Sequence, residues 1–108
     1  MYLRRSGRVA RRILLTLRWQ APGCDFEDHS AETRLLSRHG CMLVCETQVK
    51  PGNQVYVLYP ERGTSTRARV VYRELTGSSK QVSLALEFLG NNNFWQMQFP
   101  PAQRISMS

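Results

Sequence analysis

Lysine is nearly missing from this 108-residue chain: 13 of its 15 cationic residues are Arg, and only Lys50 and Lys80 are Lys. Histidine is as scarce. His29 and His39 are the only two, and neither has a Ser or Cys at a spacing that implies a nucleophile and its base. The acidic residues stand singly apart from Asp25-Phe26-Glu27-Asp28, which falls in an expected loop. No enzyme is expected from this inventory. Long apolar runs are also lacking. Cys41–Cys45 and Val55–Tyr59 extend five residues each, against about 20 for a membrane-spanning helix, so no segment is expected to enter a membrane. The stretch Ile13–Leu17, interrupted by Thr16 and closed by Arg18, makes a poor signal peptide. Three cysteines, an odd number, give no disulfide framework and favour a reducing cytoplasm.

What is present is charge concentrated at one end. The net charge is +7, and six arginines (4, 5, 8, 11, 12 and 18) lie in the first 18 residues, where there is no Asp or Glu. Without those six the balance falls to +1, so the basicity belongs to an arm and the body is nearly neutral. The Arg preference matters because a guanidinium offers a planar fork that matches a phosphate, or the O6/N7 edge of guanine, with two bonds at once. Against this stands the commoner role of a terminal charge run, a solvated tail.

After the arm, alternation at period 2 predicts half-buried strands. Ile13, Leu15, Leu17 and Trp19 share a face. A second strand is expected over His29–Leu36, and Ser37-Arg38-His39-Gly40 reads as a turn. Cys41, Leu43 and Cys45 then share a face, Lys50-Pro51-Gly52-Asn53 is a turn, and Gln54–Tyr59 is rich in Val and Tyr. Over Thr66–Glu74 the pattern places Ala68, Val70 and Tyr72 inward with Arg67, Arg69 and Arg73 outward. Gln81–Leu89 alternates Val82, Leu84, Leu86 and Phe88 with polar or small residues. Phe94–Phe99 suits a short helical turn whose rings cover an open barrel end. Six short strands without a long helix predict an all-β, six-stranded antiparallel barrel or sandwich. The expected division is an arm over 1–12, the β domain over 13–100 and a polar tail over 101–108.

His39, Cys41 and Cys45 invite a metal reading, but on a strand the two cysteines stand about 13 Å apart, too far to share one ion. They read as small buried hydrophobes, and no metal site or cofactor is expected. The remaining constellation is the Arg arm with the Ser37–Gly40 turn. Bidentate donors, a hydroxyl and a glycine that admits close backbone approach could clamp a small anion.

Here the residues resemble a family. Arg4-Arg5-Ser6-Gly7-Arg8-Val9 ahead of the strand from Ile13 is similar to the Arg-x-x-x-Arg opening of PilZ domains. Leu36-Ser37-Arg38-His39-Gly40-Cys41-Met42-Leu43 resembles that family's second motif, (Asp/Asn)-x-Ser-x-x-Gly followed by an apolar strand. The Pro51-Gly52 turn, Arg69-Val70-Val71, Leu86-Glu87-Phe88 and Phe94-Trp95 before Phe99-Pro100 are also similar to the family's course, so the likeness spans roughly 4–100. The resemblance implies a six-stranded PilZ-like β-barrel that binds cyclic di-GMP, a bacterial second messenger, and signals to a downstream protein. Carried over by position, Arg4 and Arg8 contact guanine and phosphate, and Ser37 and Gly40 lie beneath the ligand. Arg5 and Arg12 are possible additional contacts, since Arg8 and Arg12 also fit the Arg-x-x-x-Arg spacing.

One position departs from the motif. The family's Asp or Asn falls at Leu35, which accepts no hydrogen bond, and a lost polar partner costs roughly 1–3 kcal/mol, or about five- to 150-fold in affinity. That motivates an alternative, an adaptor of the same fold that has lost the nucleotide and binds a protein. A small basic barrel binding nucleic acid ranks third, because the pattern offers no exposed aromatics interleaved with the arginines for base stacking.

Overall fold

The computed structural model describes residues 7–77, 80–90, 93–97 and 99, which form strands and turns with no helix among them. The strands are β1 (Val9–Ala10), β2 (Leu14–Gln20), β3 (Phe26–Ser37), β4 (Gly40–Cys45), β5 (Gln54–Tyr59), β6 (Thr64–Leu75) and β7 (Val82–Phe88). All pairings are antiparallel. The order β3-β2-β5-β6-β7-β4 returns to β3 through the β3–β4 hairpin and closes a six-stranded barrel. Closure leaves no open sheet edge in those six strands, which is how small all-β domains avoid edge-to-edge association. No helix long and apolar enough to cross a membrane occurs among the described residues.

The alternation explains the core. Leu15 and Leu17 from β2, Leu43 and Cys45 from β4, Val55 and Val57 from β5, Ala68 and Val70 from β6, and Leu84 and Leu86 from β7 all point inward and are buried. One end of the barrel is stoppered by rings. Phe94 and Trp95 are fully buried against Tyr59 and Phe88, with centroids 4.9–6.1 Å apart. Such pairs add roughly 0.5–1.5 kcal/mol each beyond the area they bury. The segment expected to be a helical turn is a single tight turn closed by the Gln96 N–H donating to the Asn93 carbonyl at 3.1 Å, and Gln96 leaves it at φ 56°. A left-handed residue directly after the turn stops it from propagating as a helix.

Three boundaries differ from the sequence expectation. The second strand starts at Phe26 rather than His29, because β2 pairs with it through Gln20↔Phe26. Pairing also reaches back into the expected arm: β1 lies on β3 with Val9↔Leu36 and Ala10↔Leu35. The joint between β1 and β2 is held by one buried side chain. Thr33 Oγ1 accepts from the Ile13 N–H at 2.8 Å and donates to the Arg11 carbonyl at 2.6 Å. The third difference is a bulge in β6 between Val70 and Tyr72, which inverts the alternation beyond it. Tyr72 turns outward, 48% exposed, beside a similarly exposed Val71, and Arg73 turns in.

Candidate functional site

The Ser37–Gly40 corner is the tip of the β3–β4 hairpin, with Ser37 paired to Gly40 across Arg38 and His39. It is tied down from two sides. The Trp95 indole N–H donates to the Ser37 carbonyl at 2.8 Å, and the Phe88 N–H donates to the His39 carbonyl at 2.7 Å. The Ser37 hydroxyl is half-buried and donates weakly to the Gly40 carbonyl at 3.4 Å. Gly40 is buried, and a Cβ built on it would stand 2.0 Å from the Leu86 carbonyl oxygen. The close approach of the β7 backbone requires glycine at this position.

β1 runs beside this corner: it pairs Val9 with Leu36, the residue before Ser37, and Arg8, the residue before Val9, is exposed. Arg11 reaches Met97 Sδ at 4.0 Å, and Arg12 is 4.0 Å from Glu32 with its side chain 75% exposed. Glu32 is bonded more closely by Arg34, whose guanidinium holds the carboxyl below its usual range. Arg4 and Arg5 lie outside the described residues.

Leu35, half-buried, sits in a continuous apolar row on the outer wall. The registers place Ala10, Leu35, Met42, Ala85 and Tyr72 side by side across β1, β3, β4, β7 and β6. Cross-strand neighbours share a face, so the position where the PilZ motif carries a polar residue is here part of an apolar stripe.

The cysteines fall where their size suits them. Cys41 and Cys45 are buried in the core, and burial pushes their thiols up to about 12 and about 11. The outer wall of β2, β5 and β6 differs from the pattern-based expectation. Tyr56, 45% exposed, stands between Arg18 and Arg67 in register, with the Phe26 ring 6.3 Å away. Exposed aromatics do alternate with arginines there. Two neighbouring guanidiniums are already committed, however: Arg18 to Asp28 through bonds of 2.7 and 2.9 Å, and Arg69 to Glu87 at 2.6 Å. The first pairing raises Arg18 and lowers Asp28 from their ordinary values.

The end of the barrel opposite the aromatic stopper is a cleft of about 750 Å³, lined among others by Trp19, His29, Glu46, Thr47, Arg73 and Val82. The sequence pattern missed it, because strict alternation puts Arg73 on the outside. The one signal available was Val71, an apolar residue at a position the pattern sends to solvent. No protein-family model matches the chain, and no curated protein matches it.

Proposed function

We propose that the chain is a PilZ-like signalling barrel of the bacterial cytoplasm that takes cyclic di-GMP between its arginine arm and the β3–β4 corner and relays the signal to a protein partner. The observation that carries this reading is the β1–β3 register, which pairs Val9 with Leu36 and so leaves the exposed Arg8 next to a residue paired one position from Ser37. An exposed guanidinium there can fork onto a phosphate or a guanine edge while the hydroxyl beside it donates a further bond. The closed six-stranded barrel and the motif residues in their order add support. Ser37 and Arg8 carry the contact; Gly40 contributes by fixing the hairpin against β7.

Leu35 favours a second reading, an adaptor that has lost the nucleotide. The apolar row from Ala10 to Tyr72 suits a protein contact better than a guanine, whose N–H groups would find no acceptor along it. Nucleic acid ranks below both, since Arg67 is left to meet phosphates where Arg18 and Arg69 are already paired.

Isothermal titration with cyclic di-GMP separates these readings. The nucleotide reading expects saturable binding, weakened about tenfold or more by Arg8→Ala, because a charge-assisted contact contributes ~1.5–3 kcal/mol. Leu35→Asp should strengthen it by about five- to 150-fold. No heat from the native chain but binding by Leu35→Asp supports the adaptor, and no heat from either overturns the nucleotide reading.

A further inference from the structure

We infer that the open mouth of the barrel, at the end opposite the Ser37–Gly40 corner, is a binding site for a small oxyanion-bearing molecule, a carboxylate or a phosphate, held by Arg73. Regular alternation after Val70 would place Tyr72 inside and Arg73 in water; the β6 bulge reverses both, leaving Tyr72 about half exposed. Exposing the Tyr72 ring to turn a guanidinium inward is unfavourable for stability alone, since Val71 faces outward with or without the bulge. Bulges recur next to binding sites because they re-aim a side chain.

What the inward turn achieves is an unmet donor. Arg73 Nε is buried and has no hydrogen-bond acceptor among the described residues, and His29 Nε2, also buried, lies 3.3 Å from Glu27 Oε1. Buried donors of native proteins are nearly always paired, so the Arg73 N–H lining this cleft calls for an acceptor. The volume, about 750 Å³, falls in the range of small-molecule sites. Charge is layered across the mouth. The carboxylates Glu27 and Glu46 and the Lys80 ammonium are exposed at the rim, whereas Arg73 and His29 lie deeper. A molecule that puts an oxyanion inward on Arg73 and turns N–H or O–H groups toward the rim carboxylates satisfies both layers, with the half-buried Trp19 as an apolar wall.

The test is a titration of the full chain with sodium phosphate and, separately, sodium acetate, at ionic strength held constant with sodium chloride. It is followed by NMR at the Arg73 Nε–H and the Trp19 indole N–H. The site predicts saturable shifts of both signals, with the stronger anion identifying the oxyanion class. Affinity should fall at least tenfold in Arg73→Met and stay unchanged in Arg8→Ala, which keeps this site distinct from the corner at the other end. Should Arg73→Met fail to fold, Arg73→Lys serves, because it keeps the charge, loses the fork and must still weaken binding. Shifts that never saturate with either anion, or that persist in Arg73→Met or Arg73→Lys, would overturn the proposal and leave ordered water as the partner of Arg73.

Discussion

At the scale of single residues, chemistry that looks functional and chemistry that builds the fold meet at the same corner. Gly40 occupies a motif position, yet its surroundings demand glycine on packing grounds: any Cβ would overlap the Leu86 carbonyl at 2.0 Å. Gly40→Ala should therefore destabilise the barrel by about 3 kcal/mol or more, read as a drop in the urea midpoint. A variant as stable as the native chain would show that β4 and β7 part readily. The thiols give a second expectation. Cys41 and Cys45 remain protonated in the fold up to about 12 and about 11, while the unfolded thiols ionise near 9.0. The unfolded chain loses those protons first, so stability is full below pH 9 and declines as pH rises from there toward 11 and 12. At pH 8 a maleimide should label the exposed Cys24 in the native protein and reach the other two only on unfolding. Rapid labelling of all three would contradict their burial.

At the scale of elements, the joint between β1 and β2 decides whether the arm is a strand or a tail. Thr33 satisfies the Ile13 N–H and the Arg11 carbonyl with one hydroxyl. Thr33→Val keeps the shape and leaves both backbone groups without it, which should cost about 2 kcal/mol and speed amide exchange at Val9, Ala10 and Ile13; Thr33→Ser should recover most of the loss. Period-2 alternation made much of the barrel legible beforehand. Ile13, Leu15 and Leu17, then Cys41, Leu43 and Cys45, then Val82, Leu84 and Leu86 point inward as the pattern says. The pattern failed where one extra residue enters a strand, at Thr33/Leu35 in β3 and Val70/Tyr72 in β6. A bulge follows from how a closing sheet must bend, and that depends on partners far away in sequence rather than on the local residues. Tyr72 and Arg73 changed sides for this reason, and the cleft that Arg73 lines was hidden with them. The corner was better signalled: Ser37 and Gly40 stood out as a hairpin turn, although the Trp95 bond that anchors it spans 58 residues and left no local trace.

At the scale of the whole molecule, the barrel has two ends of opposite character. One is sealed by Phe94, Trp95, Tyr59 and Phe88, and β1 and the β3–β4 corner sit at that end; the other is an open, charged mouth. Among the described residues the exposed Arg8 and Arg11 belong to the sealed end, a charge that under the proposed function favours a doubly anionic ligand there. The measurement that bears most directly on the central claim is an amide NMR titration of the native chain with cyclic di-GMP. The account predicts saturating shifts concentrated on Arg8, Val9, Ala10, Ser37 and Arg38, with the residues of the open mouth unmoved. A spectrum that does not change at high ligand, or changes only around Arg73 and Trp19, would contradict it.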